Sequence, residues 1–261
     1  MATVYIAPTA EGSANGSSPE NAYGFSSLTT AESDAGNGGT ILFTDGSYTI
    51  ANTTFSGSNN NITYKSLNKH GATLTSSSPT TLTLGPFGGS DITLQDFKVR
   101  GAISYSARLK PILIGIDHQD TIAHTGTLFN TLANYWRISD SIFVVNYSGN
   151  AQLFFNDTTG TTEINRCSFF IKCSSVGSGG ISGGTTGSQV NTIYSSDNSN
   201  AINDNVINTS NLTNCCIHNM HSNDSSGGTN NIFADPQYVD PANGDLRLRP
   251  NSPCISAGTN D

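Results

Sequence analysis

The chain has 261 residues, of which only 11% are charged, with a net charge of −8 at pH 7 and an isoelectric point near 4.9. Eleven basic residues scattered along such a chain form no patch for phosphates, which argues against a nucleic acid partner. Gly, Ser, Thr and Asn together supply 121 residues, yet Ile, Val, Phe and Tyr recur throughout, so the polar bias points to very short strands separated by many turns rather than to disorder.

In chain order, the opening Met1-Ala2-Thr3-Val4-Tyr5-Ile6-Ala7-Pro8 lacks the basic and apolar regions of a signal peptide. No stretch reaches the ~20 apolar residues of a membrane span, so no membrane association is expected. Synthesis and folding in a cytoplasm follow as the expectation, with a secreted or cell-surface location the alternative if a leader was removed. Ser26 to Glu32 has helical spacing behind a serine cap, and Gly36, Gly38 and Gly39 stop it, which predicts a helical plug near residues 26–35. The strand Thr40-Ile41-Leu42-Phe43 and the turn Asp45-Gly46-Ser47-Tyr48 follow.

Beyond residue 50 one phrase recurs: an aliphatic residue, three small or polar positions, and an apolar residue five places on. It reads Leu94-Gln95-Asp96-Phe97-Lys98-Val99, then Ile138 to Phe143, Ile164 to Phe169, and Leu212 to Ile217. Taking Ile116 and Val190 as intervening anchors gives a period of 22 to 26 residues. Such repeats predict an all-β fold: a solenoid of parallel coils, each burying its apolar face on the next at the ~4.8 Å strand spacing. The expected division of this single domain is a cap at 1–50, stacked coils at 51–232 and a closing coil or cap at 233–261. Gly-rich runs such as Gly177 to Gly187 read as surface excursions.

Two segments carry a family resemblance. Val4 to Ala7 with Gly39 to Tyr48, and the closing Phe233-Ala234-Asp235-Pro236-Gln237-Tyr238-Val239-Asp240-Pro241, Gly244 to Leu248 and Ser252 to Gly258, resemble the ends of right-handed parallel β-helix proteins of the pectate-lyase-like superfamily. The resemblance implies that fold. It leaves function open, because the superfamily holds polysaccharide lyases, glycoside hydrolases, phage tailspikes and non-catalytic virion proteins.

A lyase would need a basic residue, and Lys98, Arg100, Arg108 and Lys110 are the candidates, with a solvated strand edge as the competing role. A hydrolase needs paired carboxylates, for which Asp117, Asp120 and Asp140 are the candidates. Counting two places past each anchor gives a polar ladder of Asp96, His118, Asp140 and Arg166, either functional or merely turn-forming. Asp235, Asp240 and Asp245 fall at turns beside proline or glycine, so no metal is assigned to them, and no cofactor is expected. Tyr135, Trp136 and Arg137 are candidates for stacking on a sugar ring; the alternative puts Trp136 in the core. The five cysteines show no metal spacing; vicinal Cys215-Cys216 is a candidate redox bond against a small-core-residue role. Sequons such as Asn52, Asn61, Asn146, Asn208 and Asn211 are expected by chance in this composition.

Sparse charge and the missing leader lead to one expected function: a non-catalytic bacteriophage virion protein, a capsid decoration or tail-associated β-helix. It would be a homotrimer that contacts other virion proteins and host surface polysaccharide. The alternatives are a polysaccharide-degrading enzyme and a carbohydrate-binding or adhesion module.

Overall fold

A computed structural model describes residues 2–56, 61–85, 91–107, 110–123, 127–131, 135–147, 161–173, 187–197, 211–219 and 228–259. Within them the chain winds into a parallel β-solenoid whose three sheets run along its length, with ten, eight and four strands. The first sheet carries one inward position from each coil in register: Ile41, Tyr64, Leu94, Leu113, Ile138, Ile164, Gln189 and Leu212. The steps between them are 23, 30, 19, 25, 26, 25 and 23 residues. The coil length therefore varies more widely than the sequence spacing suggests, because connections between sheets can lengthen while the strand register stays fixed.

The first and second sheets meet at a turn that is the same in six coils. Asp96, Gly115, Asp140, Arg166, Asn191 and Asn214 each have a left-handed backbone, with φ between 51° and 64°. The next residue then points inward: Phe97, Ile116, Ser141, Cys167, Thr192 and Cys215 are all at most 2% exposed. Asp and Asn tolerate this conformation better than most side chains, and glycine carries no penalty there. Burying Ser, Thr or Cys at the next position is productive because each donates to the carbonyl two residues back. Ser141 Oγ reaches Ser139 O at 2.7 Å, Thr192 Oγ1 reaches Val190 O at 3.0 Å, Cys167 Sγ reaches Asn165 O at 3.3 Å, and Cys215 Sγ reaches Thr213 O at 3.4 Å. The small polar residues that dominate the composition thus satisfy the turn's backbone from inside.

Inward residues of the second sheet form a matching column: Tyr48, Leu74, Val99, His118, Phe143, Phe169, Tyr194 and Ile217. Its aromatic rings stack, Phe143 on Phe169 at 5.0 Å and Phe169 on Tyr194 at 5.2 Å between centroids. In the first sheet's column, Gln189 is the polar exception, and the Tyr194 hydroxyl donates to its Oε1 at 2.5 Å.

The N-terminal end is plugged by the helix Leu28–Ala35, with Leu28, Ala31, Glu32 and Ala35 buried. Ser27 precedes it without making a capping hydrogen bond; the C-terminal stop at Gly36, φ 66°, is as the glycines predict. Glu32 is fully buried, and its carboxyl accepts from the Ser56 amide at 2.9 Å, the Ser56 hydroxyl, and the Tyr64 hydroxyl at 2.7 Å. A lone carboxylate in an apolar end would be costly, so these donors fix where the plug docks.

The closing segment does not stack as a final coil. Thr229 and Ile232 bridge to Thr213 and Cys216, and the chain then turns back along the outside of the second sheet. Tyr238–Asp240 pairs antiparallel with Asp245–Leu248, and Tyr238, Leu246 and Leu248 pack on Ile142, Val144, Phe170 and Ile193. Gly244, at φ 83°, lies so close to Gln119 that a Cβ would fall 2.6 Å from its Oε1. Tail residue Thr259 is held by Asn191, its N donating to Oδ1 at 3.0 Å and its O accepting from Nδ2 at 3.2 Å. The outer apolar residues of the second sheet gain a cover in this way, which a solenoid coil alone does not provide.

Replacing Glu32 by Ala strands three donors beneath the plug and is expected to cost about 3 kcal/mol, read as a lower midpoint in urea unfolding.

Candidate functional site

The three candidate carboxylates lie in three different settings. Asp117 starts the strand Asp117–Gln119 on its outer face and is bound by Arg100, whose Nη2 lies 2.7 Å from Oδ2 and whose Nη1 donates to the Asp117 carbonyl at 2.7 Å. Lys98 and Arg100 share the outer face of the neighbouring strand, as their spacing predicts. Lys110 is exposed, and Arg108 lies outside the described residues, as do Asn208 and residues 177–186 of the Gly-rich run.

Asp120 is buried. His118, which the sequence count placed in the polar ladder, belongs instead to the core column between Val99 and Phe143. The equal division of the interval from Leu94 to Ile138 chose Ile116 as anchor, but the real steps are unequal: Leu113 is the anchor and Gly115 the turn residue. His118 is fully buried and closes a three-member network. The Tyr105 hydroxyl and His118 Nδ1 are 2.9 Å apart, His118 Nε2 and Asp120 Oδ1 are 2.9 Å apart, and Asp120 Oδ2 accepts from the Asn146 amide at 3.0 Å. The donors are assigned from the network: Tyr105 O–H to Nδ1, and Nε2–H to Asp120. Burial, reinforced by the Asp120 charge, holds the Tyr105 hydroxyl well above its ordinary pKa. Such a chain resembles a proton relay in composition; its His118 and Tyr105 are sealed from solvent, and it ties the second and third sheets together.

Asp140 is the ladder residue that pairs. Arg166, one coil on, donates to it twice, Nε to Oδ1 at 2.7 Å and Nη2 to Oδ2 at 3.0 Å. The Arg166 hydrogen bonds hold the Asp140 carboxyl below its ordinary value. Asp96 at the same position accepts from Gln95 Nε2 at 3.0 Å and lies 3.8 Å from Lys65 Nζ. Asp235 and Asp240 bond within their own turns, to the Gln237 amide and to Asn243, and Asp245 pairs with Arg247 along its strand.

The stacking trio divides. Trp136 is 1% exposed and packs edge-on against Phe129 at 5.2 Å, so it is core, because strand alternation turns it inward while its neighbours face out. Arg137 is exposed, with its guanidinium 5.0 Å above the Tyr135 ring. Its Nε donates to the Tyr135 hydroxyl at 3.2 Å and to Glu163 Oε2 at 3.1 Å. A hydrogen bond with Glu163 raises the Tyr135 hydroxyl's pKa, and Arg137 itself is raised by its bond to Tyr135.

Arg137 and Glu163 edge a groove of about 600 Å³ on the outer face of the first sheet. Ile112, Ile114 and Val190 supply apolar surface, and Arg137, Glu163 and Asn165 supply donors and acceptors. Glu163 was not singled out in the sequence; strand alternation in Thr161–Asn165 is the signal that puts it beside Arg137. A second groove, of about 520 Å³, lies between the second sheet and the folded-back segment. It gathers Asp197, His218, Asp235 and Arg249, which sequence reasoning could not assemble because 52 positions separate the first from the last.

Stacked parallel coils, three sheets and a helical plug define a right-handed parallel β-helix of the pectate-lyase-like kind. The solved structure of the pectate lyase Pel9A superposes with a TM-score of 0.53 at 16% identity, covering 100% of this chain and 92% of that one. No family model and no curated protein matches the chain.

Asp120→Ala removes the acceptor of a fully buried histidine and is expected to destabilise by about 3–5 kcal/mol, seen in thermal unfolding. The Asp140–Arg166 pair has the opposite character. With the folded-state pKa of Asp140 lowered, its contribution is present above the ordinary aspartate range and disappears as pH falls through the lowered value. Arg166→Met should remove that acid-side slope while changing neutral-pH stability by less than about 1 kcal/mol, because both side chains are about half exposed.

Proposed function

We propose that this protein is a non-catalytic virion component of bacteriophage type: a β-helical surface protein that holds glycan along its first sheet without cleaving it. The observation that carries this reading is the groove edged by Arg137 and Glu163, with Tyr135 holding Arg137 in place. Its size is within the ~300–1,000 Å³ usual for small-ligand sites, and its apolar floor with polar edges suits the two faces of a sugar ring. The Arg137 guanidinium, held by Tyr135, gives a stacking surface, while Glu163 can accept from hydroxyls. The commitments of the expected acids support the absence of cleavage: Asp117 is held by Arg100, Asp120 by His118 and Asp140 by Arg166. Plugged at one end and covered along one flank, the solenoid suits a durable particle surface, and a side-by-side homotrimer would cover further outer strands.

A polysaccharide-degrading enzyme is the second reading, favoured by one observation: Asp197, His218, Asp235 and Arg249 line a single groove. Acid, base and cation together are the parts of glycan chemistry.

A panel of neutral and uronate polysaccharides separates the two. Binding without release of reducing or unsaturated ends is expected, with affinity reduced about tenfold by Arg137→Ala or Tyr135→Ala. Turnover that is lost in Asp235→Asn or His218→Ala, and kept in Arg137→Ala, would establish the enzyme instead. Light scattering should give three times the 27.3 kDa chain mass.

A further inference from the structure

We propose that Cys216 and Cys254 form a disulfide that staples the folded-back segment to the last coil of the solenoid. Strand alternation separates the vicinal pair: Cys215 turns into the core, where its thiol donates to the carbonyls of Gln189 and Thr213, both at 3.4 Å. Cys216, in register with Ile193, lies on the outer side under the returning chain, and its thiol donates to Ala234 O at 3.3 Å. Cys254 comes back to the same place from 38 positions later in the sequence. Both thiols line one cavity of about 70 Å³, which brings them side by side beneath the returning chain. The local backbone holds Cys254 there: its amide donates to Ser252 Oγ at 3.1 Å, and that hydroxyl donates to Pro236 O at 2.6 Å.

The chemistry of the two sulfurs differs in a way that orders the reaction. Cys254 is half-buried, and the adjoining Cys216 thiol holds its own thiol below the ordinary value. The nearness of Cys254, with burial, drives Cys216 far above it. Burial likewise pushes Cys215 to about 11 and Cys167 to about 12, which leaves both inert inside the turns. With a low-molecular-weight disulfide such as oxidised glutathione as oxidant, the Cys254 thiolate attacks one of its sulfurs and expels a glutathione thiolate. Cys216 then gives up its proton and attacks the Cys254 sulfur of the mixed disulfide, expelling the second glutathione. Two protein thiols are oxidised and one small disulfide is reduced.

The full-length native protein, incubated with oxidised glutathione and mapped under non-reducing conditions, should yield one peptide pair joined through Cys216 and Cys254. Dithiothreitol should release it, Cys254→Ser should abolish it, and Cys215→Ser should leave it intact. Cleavage within residues 234–259 by a nonspecific protease should slow about tenfold on oxidation, with no change in Cys254→Ser. A Cys215–Cys216 link, glutathione remaining on Cys254, no reaction, or a cross-link without effect on proteolysis would each overturn the proposal.

Discussion

The left-handed residue between the first and second sheets is the constraint on which the rest of the molecule depends. It bends the chain from one sheet into the next and sends the following side chain inward, six times over, at Asp96, Gly115, Asp140, Arg166, Asn191 and Asn214. Because it recurs in register, the columns on either side of it also stay in register, and coils of unequal length can still stack. A slip by one residue would put every inward side chain on the outer face, so the turn protects the core as much as it shapes it.

Buried polar groups perform a related task where apolar packing alone is indifferent to position. The carboxyl of Glu32 accepts only where Ser56 and Tyr64 can reach it, which gives the plug helix one docking position. His118 lies in a column of hydrocarbon and aromatic neighbours, yet its two ring nitrogens reach Tyr105 on the third sheet and Asp120 at the edge of the second. Each such network costs desolvation and returns specificity of arrangement only because its hydrogen bonds are made.

These demands decide which surface remains for recognition. The second sheet's outer apolar residues lie under the returning segment, with Tyr238 edge-on to Phe170 at 6.2 Å. The groove on the first sheet keeps its Ile112, Ile114 and Val190 partly open, beside Arg137 and Glu163. The proposed glycan contact uses that face, and the enzyme reading uses the groove beside the folded-back chain.

The recurring phrase, the plug near residues 26–35 and the turn role of the polar residue two places past each anchor were legible in the sequence, since all three are local. Alternation also put Tyr135 and Arg137 on one face and left Trp136 as a choice between core and surface, which only burial could make. Equal spacing failed at Ile116, because the lengths of connections between sheets carry no periodic signal. The polar anchor Gln189 was invisible for another reason: its partner Tyr194 compensates for it within the core. The local periodicity of the sequence determined that this chain would be a β-solenoid with left-handed turns. Only the tertiary structure decided that His118 is core, that Glu163 joins Arg137, and that residues 233–259 fold back to bring Cys254 beside Cys216, because contacts between distant positions depend on where whole coils come to rest.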